Sequence, residues 1–171
     1  MRRRARRSTQ PLDVVPVTIE YRLDGTGWSE CTLTNGHDKC ELTASYLSDA
    51  LRNMVLAATA VASGFTRVSF AFDEEPGEYR WVISSPRLNE IELEILSFSE
   101  LWGGKPDAEG ESLFRVRCLQ EDFAAAVQAA AHGVLERYGE AGYMKLWHEH
   151  PFPSAQLAEL DRLLAQRGPD V

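Results

Sequence analysis

The stretch RVSFAFDEEPGEYRWVISSPRLNEIELEI, residues 67–95, decides the fold class. Val68, Phe70 and Phe72 alternate with Arg67, Ser69 and Ala71. Tyr79, Trp81 and Ile83 alternate with Glu78, Arg80 and Val82, and Ile91, Leu93 and Ile95 with Glu90, Glu92 and Glu94. Successive side chains of a strand point to opposite faces, so each run reads as a strand with one apolar and one polar face. Between the first two runs, Glu75-Pro76-Gly77-Glu78 predicts a turn. Proline presets its first central position, and glycine accepts positive φ at its second. Ser85-Pro86-Arg87-Leu88-Asn89 turns the chain again. Short connections between successive strands predict antiparallel pairing.

The same alternation extends outward in both directions. Upstream, Val17, Ile19, Tyr21 and Leu23 form a half-buried strand, followed by turn residues Asp24-Gly25-Thr26-Gly27. Trp28 to Thr34 reads as a second strand. Asn35-Gly36-His37-Asp38 is another turn, and Cys40 and Leu42 extend the pairing. Ser45 is the expected N-cap of a helix with Leu47, Leu51, Met54, Val55, Ala58 and Val61 on its buried face. Gly64 is its expected left-handed C-cap. Downstream, Phe114, Val116 and Cys118 mark one more strand. Glu121 and Asp122 suit the first turn of a helix, and Phe123, Val127, Ala130, Ala131, Val134, Leu135 and Tyr138 share one of its faces. Gly139 ends that helix, and a short one spans residues 140–147. Ser154 is the expected cap of a last helix, with Leu157, Leu160, Leu163 and Leu164 inward.

The architecture these signals predict is α+β. It is an antiparallel meander of about six strands, with one helix inserted after strand 2 and C-terminal helices packed on one face. Residues 16–167 are expected to form a single domain, preceded by a disordered basic arm over residues 1–15. On the polar face, Arg67, Arg80, Arg115 and Arg117 are expected across from Glu78, Glu92 and Glu94. Opposite charges at such positions contribute roughly 0.2–1 kcal/mol a pair and mark a solvated surface.

Composition narrows the function classes. The 171 residues are 44% hydrophobic and 26% charged, which is ordinary for a globular chain with a sizeable core. No run reaches the roughly 18 apolar residues of a membrane span. Residues 1–16 lack the apolar stretch of a secretory signal. Cys31, Cys40 and Cys118 are an odd set without a C-x-x-C, so a disulfide framework and a zinc site are not expected, and a cytoplasmic location is. The net charge of −8 hides an asymmetry. Arg2, Arg3, Arg4, Arg6 and Arg7 hold five of the 18 basic residues; the rest of the chain has 13 against 26 acids, a balance of −13. An acidic body disfavours nucleic acid and favours basic partners, so nucleic acid is not expected as a partner except through the arginine arm.

No catalytic motif stands out. His148-Glu149-His150 places two histidines at i and i+2, which face the same way only in extended chain. A third ligand would be needed for a metal, and a polar turn between helices explains the same residues. Gly103-Gly104-Lys105 lacks Walker spacing, and Pro106 stands where Ser or Thr is required. No Gly-x-Ser-x-Gly is present. Glu74 and Glu75 are neighbours in a turn without apolar enclosure. Neither catalytic residues nor a cofactor nor a metal are therefore expected.

The segment Ser97–Glu111 is a long connection for a compact domain, and such loops are usually functional or disordered. It carries Trp102 with Glu100, Asp107, Glu109 and Glu111. A large aromatic in an acidic frame is an anchor with a charged rim, suited to a basic partner. The alternative is that Leu101 and Trp102 fold back over one end of the core. Trp28, after Gly27, poses the same question at another edge.

At Glu75-Pro76-Gly77-Glu78-Tyr79-Arg80-Trp81, and at Tyr138-Gly139, Gly142-Tyr143, Trp147 and Pro151-Phe152-Pro153, the chain resembles small proteins of unassigned function from high-GC actinobacteria. The likeness spans roughly residues 21–164. In size, acidity and layout the chain is also similar to immunity proteins encoded beside polymorphic toxins, a likeness that implies no catalytic residues. The expected function is thus a non-enzymatic interaction module, immunity-like, contacting a basic partner through Trp102, Glu100, Asp107 and Glu109. One alternative is a small-ligand-binding or hydrolytic enzyme domain with a pocket near residues 143–153, using Tyr143, His148 or His150. Another is a structural protein whose strand edge pairs with a second copy.

Overall fold

The computed structural model describes residues 11–168. The arginines of the basic arm, Arg2 to Arg7, lie outside the described residues. The chain is α+β, in the order β1 (Thr18–Leu23), β2 (Trp28–Thr34), β3 (Lys39–Ser45), α1 (Ala50–Ala62), β4 (Arg67–Asp73), β5 (Glu78–Arg87), β6 (Glu90–Phe98), β7 (Glu111–Leu119), α2 (Gln120–Trp147) and α3 (Ser154–Gln166). Val14 and Val15 already pair with β7: Val14 bridges Arg117 in parallel, and the Val15 N–H donates to the Arg117 carbonyl at 2.9 Å.

The strands form two antiparallel sheets, not a single six-strand meander. One has the order β1-β2-β3 and the other β4-β5-β6-β7. The helix follows the third strand rather than the second. The Asn35–Asp38 turn supplies the reason. The Asn35 side-chain oxygen accepts from the N–H groups of His37 (3.1 Å) and Asp38 (2.8 Å), closing a tight hairpin. Lys39–Ser45 then runs back in full register along β2, with Trp28 opposite Ser45 and Thr34 opposite Lys39. Only after that does α1 carry the chain away, so β3 and β4 touch without sharing a ladder. Hydrophobic alternation reports which side chains face inward; it does not report which strands pair.

Side chains therefore join the sheets. Leu33 and Leu42 from the first, Phe72, Trp81 and Leu93 from the second, and Leu51, Phe123 and Leu160 from the helices are all buried in one core. Phe72 is central. Its ring lies 5.1 Å from Trp81 in its own sheet and 6.4 Å, edge-on, from Tyr21 in the other. Phe70 stacks on the same indole at 5.1 Å. Full burial of such side chains stabilises by about 1.5–3 kcal/mol each, and each well-oriented aromatic pair adds about 0.5–1.5 kcal/mol.

Two capping expectations and one burial expectation change. Ser45 is the buried last residue of β3, and the residue before α1 is Asp49. Leu47, expected on the helix's buried face, sits in the intervening turn and is 36% exposed. Ser154 is the first residue of α3, and its hydroxyl bonds Glu140 instead of a backbone N–H. For Ser154 a tertiary partner replaces the local one, and for Ser45 strand pairing carries the residue past the helix start. Gly64 does adopt positive φ (90°) after α1. Gly139 interrupts α2 with φ 65° and ψ 172°, separating the short final helical segment from the rest.

That final segment closes the far end of the core. Trp147 and Tyr143 are fully buried, and Tyr143 meets Phe152 edge-on at 5.5 Å. The Gly27 N–H donates to the Leu146 carbonyl at 2.7 Å and ties the β1–β2 turn to it. Burial pushes the Tyr143 phenol well above its ordinary pKa, and its hydroxyl has no hydrogen-bond partner within the described chain. A buried hydroxyl without a partner costs free energy, so Tyr143→Phe is expected to leave stability unchanged or raise it by up to about 1 kcal/mol in urea unfolding. A clear loss would reveal a partner for that oxygen.

Candidate functional site

The loop between β6 and β7 is folded back on the sheet. Along β6, Ile91, Leu93 and Ile95 face the main core. Leu96 and Phe98 stand opposite Arg80 and Glu78 on the outer face, yet both are buried. The loop covers them. An added Cβ on Gly110 would lie 2.7 Å from the Phe98 ring and 2.9 Å from the Leu96 Cβ, so only glycine permits this closeness. Part of the face expected to be solvated is thus a second, smaller apolar cluster.

Arg80 fixes the loop in place. Its guanidinium lies 4.1 Å from the Phe98 ring centroid, a cation–π geometry. It donates to the Lys105 carbonyl at 2.7 Å, the Asp107 carboxylate at 2.9 Å and the Glu78 carboxylate at 2.7 Å. Burial opposes the Arg80 charge, but its hydrogen bonds to Asp107 and Glu78 outweigh this and hold the pKa above its usual value. Arg67 adds a bond to the other Asp107 oxygen at 3.2 Å. The remaining arginines of this face pair diagonally, Arg115 with Glu92 and Arg117 with Glu90, rather than with the residues directly opposite. A right-handed sheet twist brings diagonal neighbours within reach of long side chains.

The four residues expected to contact a partner divide accordingly. Trp102 is 73% exposed and holds a left-handed φ of 52°. Glu100 and Glu109 are also exposed. Asp107 is half-buried and bound by Arg80 and Arg67, so it positions the loop from within. The Leu101 N–H donates to the Pro76 carbonyl at 2.8 Å, which sets the 100–102 tip beside the 73–78 turn. That turn differs from the expected one: Glu75 takes the positive φ (48°), and Gly77 is required because an added Cβ would lie 2.3 Å from the Phe98 carbonyl oxygen. The result brings Glu74 and Glu75 to the same end as Glu100 and Trp102.

Two further exposed side chains at this end carry no sequence signal of their own. The Asp73 N–H donates to the Ser48 hydroxyl at 3.1 Å, docking the 46–49 turn here, and the Tyr46 N–H donates to the Gly27 carbonyl at 2.9 Å. Tyr46 and Leu47 are therefore displayed with Trp28, at 40%, 36% and 37% exposure. Helical spacing had placed Leu47 in the core, and only the contact with Asp73 shows otherwise.

Elsewhere, His148 closes α2 with φ 73° and is exposed, while His150 lies 3.7 Å from Asp49. Among the described residues no group of three His, Cys, Asp or Glu side chains is placed to hold a metal ion. No helix among them is long and apolar enough to cross a membrane. Comparison with known proteins finds no matching family model, curated protein or solved structure.

Two tests address the geometry. Arg80→Met leaves Glu78 without its counter-charge and Asp107 with only the exposed Arg67, so it should cost about 1–3 kcal/mol in stability. Backbone hydrogen exchange over residues 100–110 should accelerate with it. Burial raises the Asp73 pKa; the Trp102 indole opposes this, and Glu78 and Glu75 reinforce it. A folded pKa above the unfolded one gives stability that is present at acid pH and lost as pH rises through the folded value. Asp73→Asn removes that loss. Its advantage in urea midpoint should be larger at neutral pH than in acid, and should fade as the pH falls and the wild-type carboxyl protonates.

Proposed function

We propose that this chain is a non-enzymatic interaction module that binds a basic protein partner, in the manner of an immunity protein that neutralises a toxin. The observation that carries the reading is Trp102, an exposed indole on a loop pinned by Arg80, with Glu74, Glu75 and Glu100 at the same end. An aromatic held in place loses little entropy on binding and makes an effective anchor. The acids around it would steer a cationic surface in and pair with it at the rim. Trp28, Tyr46 and Leu47 are further exposed apolar side chains that a partner of sufficient reach would also cover. Neutralisation would then be steric: the acidic end occludes a basic cleft on the partner.

The partner most directly suited to a test is a basic protein encoded by an adjacent gene. Calorimetric titration should show binding that weakens steeply between low and moderate salt. Trp102→Ala should weaken it by about 2 kcal/mol or more, as for a buried hot-spot aromatic. Glu100→Lys should slow association more than it speeds dissociation. Binding that ignores Trp102→Ala would remove the basis of the reading.

A further inference from the structure

β1 is one of the two edge strands of the three-stranded sheet. The Asp24 N–H donates to the Trp28 carbonyl at 2.9 Å, which sets the phase of the ladder. In an antiparallel pair, alternate residues direct their backbone groups to the neighbour and away from it. Arg22, Glu20 and Thr18 therefore face β2, while Leu23, Tyr21 and Ile19 face outward. Leu23 shows what this edge requires. Its N–H donates to the Tyr138 hydroxyl of α2 at 3.1 Å, and that hydroxyl donates to its carbonyl at 3.3 Å. No such partner meets Tyr21 or Ile19 among the described residues.

Beside those two residues runs a groove of about 360 Å³ between β1 and α2. Ligand sites span about 300–1,000 Å³. Its helical wall carries small side chains, Ala129 and Gly133, with Arg137 beyond them. A Cβ on Gly133 would meet nothing within 4 Å. On the sheet side, Arg22 is paired with Glu30 at 2.8 Å, whereas Glu20 makes no ion pair among the described residues.

We propose that the β1 edge accepts an extended peptide segment as an added strand, with a Lys or Arg side chain set against Glu20. The backbone of the segment would satisfy Tyr21 and Ile19 as Tyr138 satisfies Leu23, the pattern of strand addition at an open sheet edge. Its alternate side chains would rest on the small-residue wall of α2. A second copy of this chain fits less well, because α2 flanks the edge and Tyr138 already occupies Leu23. The surface is separate from the one around Trp102 and does not depend on it.

The probe is an acetylated, amidated pentapeptide, Thr-Ile-Lys-Ile-Thr, titrated into the full chain while amide exchange is followed by NMR. Saturation should slow exchange at Tyr21 and Ile19 by about tenfold or more and leave Glu20 unchanged. Replacing the peptide lysine with glutamate should weaken binding by about tenfold, near 1.4 kcal/mol. Gly133→Leu should fill the groove and abolish binding, with its melting curve reporting the fold. Glu20→Lys, at an exposed side chain lining the groove, should weaken the lysine peptide and favour the glutamate one. Trp102→Ala should bind the peptide as the wild type does. Unchanged exchange at Tyr21 at the highest soluble peptide concentration would overturn the proposal. So would a dimer whose Tyr21 amide is protected without peptide.

Discussion

Two sheets that share no backbone ladder can be held in one domain only by what lies between them. Here that is an aromatic junction. Phe72 sits against Trp81 in its own sheet and meets Tyr21 of the other edge-on. The three helices complete the enclosure, with Leu51, Phe123 and Leu160 buried in the same core. Dispersion and apolar burial are non-directional, so this junction tolerates the lack of a common ladder. The ladders fix each sheet; the junction fixes their union. Every surface described above inherits its position from that arrangement.

The second organising constraint is electrostatic. The chain has 26 acids against 18 basic residues. Several of its arginines are committed within the four-stranded sheet. Arg115 and Arg117 pair with Glu92 and Glu90, and Arg80 gathers Glu78, Asp107 and the Lys105 carbonyl beside the Phe98 ring. Negative charge is therefore left at turns and loops, where Glu74, Glu75 and Glu100 lie close to Trp102. Arg80 links stability to display: the same guanidinium that seals Leu96 and Phe98 from water also presents the loop. A planar, permanently charged fork suits this role better than a lysine, because it can bond three acceptors while one face rests on an aromatic ring.

Much of the fold was legible in the residues. Alternation located the strands, and the core faces of β1, β5 and β6 match the runs at Ile19 and Tyr21, at Trp81 and Ile83, and at Ile91, Leu93 and Ile95. Gly64 and Gly139 marked helix ends because positive φ is almost free for glycine alone. Capping was less legible. Ser45 and Ser154 have the right chemistry for a cap, but β-pairing claimed one and Glu140 the other. Of the surface residues, Trp102 was found through its setting in a long acidic loop. Tyr46 and Leu47 were not, since a hydrophobic residue just before a helix reads the same whether it faces the core or water. Asp107 read as a rim acid, yet it lies beneath the rim, bound by arginines from two different strands.

The sequence by itself determined the fold class, the strands and their inward faces, the excess of negative charge and the loop that carries Trp102. These follow from periodicity, turn chemistry and composition, which act over a few residues at a time. Only the tertiary structure decided that the strands divide into two sheets, that the loop folds back on Leu96 and Phe98, and that the β1 edge opens onto a groove beside Gly133. Each depends on residues far apart in the chain, such as Arg80 with Asp107 or Leu23 with Tyr138. Such pairings arise from global packing, and no local pattern in the sequence encodes them.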